Sequence, residues 1–250
     1  MTTVATGVGA HATRAFPARS SDHAFFSTMA IVASIAIAGG FGSTYGTKMV
    51  NGTPPFSPIV HLHAAVFACW LVVFITQTTL VRVGRTDLHR RLGVASVVLA
   101  AAMVIVSTMT SIASGRAGHT GVPGVEFADA AGFLMLNLAI TVVFGVLYAA
   151  GWYCRRSPQT HKRLMLMATT GALVGPGVSR LPFASGRTPV IGILVLAFMC
   201  AGPAYDLITR RRLHPAYAFA LPLALLGIPP VVARWSATPL IQGLAAWLLR

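Results

Sequence analysis

Residues 86–111 read TDLHRRLGVASVVLAAAMVIVSTMTS, and this stretch decides the fold class. The basic junction at 89–91 is followed by about 20 predominantly apolar residues, the length that an α-helix needs to cross a bilayer core of roughly 30 Å. A histidine and a group of Lys or Arg recur together at 161–163 and at 210–214, again beside a long apolar run. The recurrence predicts several membrane-spanning helices with titratable side chains near the bilayer surface.

The composition of the whole chain favours the same class of protein. Of 250 residues, 55% are hydrophobic and 10% are charged, whereas soluble domains carry about 25% charged residues. The chain has 19 Lys and Arg but only 5 Asp and Glu, a balance that would indicate nucleic-acid binding in a soluble protein. Here the cations occupy the short gaps between apolar runs, as the positive-inside rule predicts, so we expect no nucleic-acid partner. The three cysteines lack CxxC spacing and predict no disulfide framework.

The apolar runs predict an all-α integral membrane bundle of about seven transmembrane helices. The predicted spans are 24–42, 59–81, 90–111, 130–153, 163–181, 189–208 and 215–233. Ser57-Pro58, Thr86-Asp87 and Ser157-Pro158 predict where three of them begin, because Ser and Thr cap helices and proline favours the first turn. The transmembrane domain covers 23–234. Residues 1–22 are predicted to be a disordered cytoplasmic tail, and 235–250 a short helix lying in the membrane interface.

The distribution of cations predicts the orientation. With a cytoplasmic N-terminus, thirteen Lys and Arg lie on the inner side and six on the outer side. We therefore expect anionic phospholipids to bind at the cytoplasmic loops. The three junction histidines, His89, His161 and His214, then lie on the cytoplasmic side at the starts of three parallel helices.

Two-helix units joined by a basic loop predict an internal repeat. Shifting 88–107 by 72 positions onto 160–179 aligns six identical residues in twenty, His89 with His161 among them. Parallel repeats build membrane bundles with a site on the pseudo-axis, so the two histidines are expected at one depth.

His89 and His161 are the predicted cofactor ligands. Two imidazoles at one depth can share the iron of a haem b, and cations beside them can bind its propionates. The cations that follow the two histidines are Arg90, Arg91, Lys162 and Arg163. The alternative is that both histidines simply lie in the headgroup layer and help the cations to bind lipid phosphate.

A second group of titratable residues is predicted at the outer face. His61 and His63 begin the second span, but on a helix they diverge by about 200°, so only one of them is expected to face the bundle. Together with His119, Glu126 and Asp129 from the next outer loop they suggest a metal site, a structural polar cluster or a proton-linked site.

Two further features have a structural and a functional interpretation. Pro176, between Gly175 and Gly177, is expected to kink or break the fifth span before Arg180, either lining a cavity or merely aiding packing. Asp206 lies four residues before Arg210, which predicts an ion pair within one helix, with a catalytic acid as the other interpretation.

The HRRLG junction at 89–93, the His-x-His-Ala start at 61–64 and Gln77 resemble a loose group of bacterial polytopic inner-membrane proteins, and the resemblance covers about 59–181. It implies a multi-pass protein of the bacterial inner membrane. The chain is also similar to cytochrome b561-type haem membrane proteins, in which parallel helices each donate a histidine. That similarity implies one haem at His89 and His161, since the fourth span has no histidine.

Three functions are therefore compatible with the sequence. The first is a haem-binding redox protein that passes electrons at the membrane. The second is a small-molecule transporter working as a homo-oligomer, and the third is a membrane-embedded metal-dependent enzyme.

Overall fold

The computed structural model describes residues 20–52 and 56–250, and it confirms the predicted all-α membrane bundle. In the described part the strands Gly121–Val122 (β1) and Val125–Glu126 (β2) form a small antiparallel hairpin. The α-helices are Ser20–Phe41 (α1), Thr47–Asn51 (α2), Pro58–Arg82 (α3), Thr86–Arg116 (α4), Ala130–Tyr153 (α5), Pro158–Met167 (α6), Val174–Val178 (α7), Thr188–Arg210 (α8), Ala216–Leu225 (α9), Pro229–Ser236 (α10) and Pro239–Leu249 (α11). The predicted tail falls mostly on residues 1–19, outside the described residues.

Within the described residues, five continuous helices are long and apolar enough to cross a membrane. They are Ser20–Asn51, Pro58–Arg82, Thr86–Arg116, Ala130–Arg156 and Thr188–Arg210. Large apolar side chains point outward from these helices, for example Ile35, Val98 and Ile208, which are 65%, 74% and 77% exposed. Such surfaces suit lipid rather than water, so the fold is that of a multi-pass membrane protein.

The predicted last span, 215–233, is wrong as a single straight helix. The helices α9 and α10 meet at a bend of 63°. Gly227 and the pair Pro229-Pro230 explain the bend, because the residue before a proline avoids helical geometry, and Ile228 is extended with φ −87° and ψ 142°.

Pro176 was predicted to kink or break the fifth span, and no break is found there. The chain stays helical from 158 to 178, but residues Ala168–Leu173 widen into a π-helical segment. Proline lacks an N–H and its ring crowds the carbonyl four residues earlier, at Ala172. The π-helical segment ends at Leu173, one residue after that carbonyl. The helix therefore accommodates the proline without breaking.

The bundle core surrounds α5 and the helical run 158–178. Trp70, Met103, Phe144, Leu147 and Met167 form its centre, each at most 2% exposed. The helix α1 packs so closely against α7 that a Cβ added at Gly40 would lie 1.9 Å from the carbonyl oxygen of Gly177. This contact therefore requires glycine.

The two ends of the bundle differ in charge. The basic end is where α3 joins α4, α5 joins α6, and α8 joins α9. Its exposed cations are Arg82, Arg85, Arg90, Arg91, Arg155, Arg156 and Arg211. The opposite end carries the β hairpin and the loop 179–187 between α7 and α8. The helix α11 packs there, with the Leu248 carbonyl accepting a hydrogen bond from Arg116 Nε at 3.2 Å.

Candidate functional site

His89 and His161 lie next to each other at the basic end. His89 is in the first turns of α4, and His161 is in the first turn of α6. Their ring centres are 6.1 Å apart and the ring planes are nearly perpendicular, at 79°. In two hydrogen-bonded imidazoles the facing nitrogens lie about 3 Å apart, which brings the ring centres closer together than the 6.1 Å found here. The two rings are therefore not hydrogen-bonded to each other.

One nitrogen of each ring is held by a neighbouring polar group. His161 Nδ1 donates to the carbonyl oxygen of Gly151 at 2.8 Å. The Gln77 amide nitrogen lies 2.5 Å from His89 Nδ1 when the amide oxygen accepts from the Gly93 N–H at 2.9 Å. Gln77 thus links α3 to α4, as lone amides in membrane helices commonly do. Both Nδ1 atoms are engaged, which leaves Nε2 as the nitrogen available on each ring.

The four cations predicted to bind the haem propionates lie in two different places. Arg90 and Arg91 are exposed beside His89. Lys162 instead lies against the first helix, where its amine donates to Asp22 at 2.5 Å. Arg163 is fully buried in a different ion pair. Of these four cations, Arg90 and Arg91 are therefore the two that are accessible to an anionic group.

Lys162 and Arg163 belong to a buried charge network that ties α1, α6 and α8 together. Arg163 donates to both oxygens of Asp206 at 2.6 and 2.7 Å, and neither side chain is exposed. Arg210 bonds both oxygens of Asp22 at 2.7 and 2.8 Å. The predicted pair of Asp206 with Arg210 is confirmed at 3.2 Å. Three cations thus share two carboxylates in this network.

Sequence reasoning missed Asp22 and the Arg163 partner of Asp206. The partners are separated by 140, 188 and 43 positions, so no local spacing connects them. One feature of the sequence could have indicated these partners. The chain has five acidic residues, and a carboxylate inside a membrane span needs a cation beside it, so each buried Asp would be expected to have a Lys or Arg partner.

The third junction histidine lies beside this network. His214 Nδ1 accepts a hydrogen bond from the Ala216 N–H at 3.1 Å and so helps to begin α9. Burial, followed by the positive charge of Arg163, lowers the pKa of His214 to about 4. The ring is therefore neutral near pH 7 and serves the helix start.

The predicted outer metal site is not assembled. His61 Nδ1 and the Tyr45 hydroxyl are 2.6 Å apart, whereas the His63 ring stacks on Phe67 at 4.2 Å between ring centres. His119 lies in the loop three residues after the end of α4, with its Nδ1 3.2 Å from the Ser114 carbonyl oxygen. Within residues 20–52 and 56–250, no three His, Cys, Asp or Glu side chains are grouped to hold a metal ion. The two histidines do point to different surroundings, as their helical spacing predicts.

The fold and these contacts define a multi-pass helical membrane protein with a paired-histidine site at its basic end. Comparisons with protein-family models, with curated proteins and with solved structures found no match to the chain.

Proposed function

We propose that the chain is a membrane redox protein that holds one haem b between His89 and His161. The observation that carries the proposal is the spacing of the two rings. Two metal–nitrogen bonds of about 2 Å and the radii of two imidazoles add to roughly 6 Å between ring centres. The separation of 6.1 Å matches that sum.

The donor set favours haem over a simple metal ion. A zinc site takes at least three protein ligands, whereas a haem brings four nitrogens of its own and needs only axial ligands from the protein. Metal-bound histidines commonly donate their second nitrogen to a carbonyl or carboxylate, as His161 does to Gly151. With a haem bound, the iron would supply one-electron chemistry.

An apolar groove near His89 is the surface that the haem macrocycle would contact, and a cation beside it would bind the haem propionates. A groove of about 270 Å³ between α4 and α5 begins two turns along α4 from His89. It is lined by Val97, Ala100, Ala101, Val104, Gly145, Tyr148, Ala149 and Trp152. Arg90, exposed beside His89, would be the cation that receives a propionate, and Lys162 would not, because Asp22 already holds its amine.

Ligation would require a proton to change its place on His89. The Gln77 amide donates to His89 Nδ1, so the neutral ring keeps its proton on Nε2. With haem held through Nε2, the His89 proton would lie on Nδ1, and a half-turn of the Gln77 amide would let its oxygen accept that proton in exchange for its bond from the Gly93 N–H. Gln77 is therefore a positioning residue.

The visible spectrum of the protein purified in detergent tests this proposal. The wild type is expected to have the Soret band of a low-spin haem. His89→Ala and His161→Ala should each abolish it or shift it to high spin, and the double variant should lose nothing more, because ligands of one iron act as a unit. His119→Ala is the matched control and should keep the wild-type spectrum. A wild type without haem absorbance, grown with haem available, would overturn the proposal.

A further inference from the structure

Arg180, at the opposite end of the bundle, is a cation with no carboxylate partner among the described residues. Its guanidinium donates to the Pro176 carbonyl oxygen at 2.7 Å and lies over the Phe41 ring, 4.7 Å from the ring centre. Its own carbonyl accepts from the Ser43 hydroxyl at 2.8 Å, which fixes the backbone. Nineteen residues of mostly helical chain place it about 28 Å along the axis from His161.

The acidic residues of the chain are all committed elsewhere or lie apart from Arg180. Asp22 and Asp206 belong to the network at the basic end, and Asp87 pairs with Arg85 at 3.3 Å. Asp129 accepts from the Gly132 N–H at 2.7 Å, and Glu126 belongs to the hairpin. Among the described residues, which include all five Asp and Glu, no carboxylate lies within 4.0 Å of the Arg180 guanidinium.

His63 adds a second polar group without a partner. Its Nδ1 is buried and has no hydrogen-bond partner in the described structure. The segment 42–46 brings this ring and Arg180 to the same end of the bundle, since the Ser43 hydroxyl donates to the Arg180 carbonyl oxygen and the Tyr45 hydroxyl lies 2.6 Å from His61 Nδ1, two residues before His63. Buried polar atoms are normally bonded, so a buried nitrogen with no partner among the described residues, at the same end as Arg180, indicates a missing group.

We infer that Arg180 and His63 form a binding site for an oxyanion, a carboxylate or phosphate group. A guanidinium has five N–H donors, and Arg180 uses one of its nitrogens on Pro176. The remaining donors match the two oxygens of a planar or tetrahedral oxyanion, which arginine binds in a fork. The His63 imidazole supplies a further N–H. Arg180 is only partly buried, so the site is open to an entering ligand.

Two further aromatic residues, Tyr45 and Phe56, lie beside His61 at this end of the bundle. Tyr45 stacks on Phe56 with ring centres 5.1 Å apart, and its hydroxyl is hydrogen-bonded to His61. The Tyr45 hydroxyl is thereby occupied, and the nearby Lys48 amine lies over the Phe56 ring, 5.4 Å from the ring centre. The oxyanion can belong to a soluble ion or to a lipid headgroup, because both present the same phosphate oxygens.

Thermal unfolding in a maltoside detergent, which contains no phosphate, tests the inference. Inorganic phosphate is titrated in one arm and short-chain phosphatidylglycerol in the other, with short-chain diacylglycerol as the lipid without phosphate. A saturable rise in Tm is expected in at least one phosphate arm, since a ligand that binds the folded state stabilises it. A rise in the first arm assigns a soluble oxyanion, and a rise in the second arm alone assigns a lipid headgroup.

Variants decide whether the rise belongs to this site. Arg180→Gln should remove it, and Arg180→Lys, which keeps the charge without the fork, should raise the apparent Kd about tenfold. Arg187→Gln is the control, since Arg187 is an exposed arginine of the same loop whose guanidinium donates to Phe183 O at 3.4 Å. No rise in either arm, or the same rise in Arg180→Lys and in the wild type, would overturn the inference. The readout does not depend on haem, so it stands or fails separately from the redox proposal.

Discussion

At the residue scale, Arg163 and Asp206 combine full burial with a bidentate ion pair. Neither side chain has water to replace a lost partner. Breaking such a pair leaves an uncompensated buried charge, which costs about 3–5 kcal/mol, whereas an apolar pair of similar volume avoids the desolvation of both charges. The pair therefore holds α6 against α8, and removing either side chain leaves the other as a buried charge without its partner.

Asp206→Asn is expected to lower the free energy of unfolding by about 3 kcal/mol or more, because it leaves Arg163 charged, buried and without its carboxylate. Chemical unfolding in detergent, followed by circular dichroism, measures the loss. The double variant Arg163→Met with Asp206→Leu should recover most of it, because no buried charge is left without a partner: Arg210 keeps its ion pair with Asp22.

Asp87→Asn provides the matched control for that substitution. Asp87 also pairs with an arginine, but both side chains are 57% exposed and water replaces the partner. We expect no measurable change in unfolding. Equal losses for Asp87→Asn and Asp206→Asn would contradict the importance of burial.

At the element scale, the contact between α1 and α7 depends on two glycines that face each other. Small residues let membrane helices approach until their backbones touch, since lipid provides no hydrophobic force to press them together. The nearby proline was visible in the sequence, and it correctly predicted a distortion of the fifth span. That the distortion is a π-helical segment at Ala168–Leu173, and that Gly177 meets Gly40, depends on helix packing, which no local pattern contains.

Gly40→Ala is expected to destabilise the protein by about 1–3 kcal/mol, as overpacking does in close-packed interiors. The added methyl group would overlap the Gly177 carbonyl, and backbone cannot move aside as a side chain can. Thermal unfolding of the variant in detergent checks this.

Gly192→Ala, in α8, is the corresponding control. A Cβ there meets nothing within 4 Å, and alanine is the better helix former, so the variant should be as stable as the wild type or slightly more so. A harmless Gly40→Ala would show that α1 and α7 are not in backbone contact.

At the scale of the whole molecule, the sequence predicted the membrane class, most helix starts and the meeting of His89 with His161. These follow from local apolar length, from Ser-Pro and Thr-Asp signals and from the repeated basic junction. The sequence did not predict the charge network or the 63° bend between α9 and α10, because both depend on contacts between distant elements. The orientation, the homo-oligomer and the anionic-lipid contacts stay predictions.

The bent pair α9 and α10 decides on which side of the membrane the C-terminus lies. It begins beside His214 at the basic end, and Val232 then packs in a buried cluster with Leu134 near the start of α5, at the opposite end. The pair therefore crosses the bundle in spite of its bend. Ala245 of α11 belongs to the same cluster, which keeps the C-terminus at that end.

Reporter fusions test this path. Fusions after Arg85, Arg156 and Arg212 should all report the cytoplasm, because the basic end carries the excess of cations. Fusions after Gly118, Arg187 and Arg250 should report the other side. The decisive comparison is Arg212 with Arg250, since only the bent pair and α11 separate them. If both reported the cytoplasm, α9 and α10 would form a re-entrant loop and would not cross the membrane. The helices that carry His89 and His161 would still be parallel, because they precede this pair in the chain.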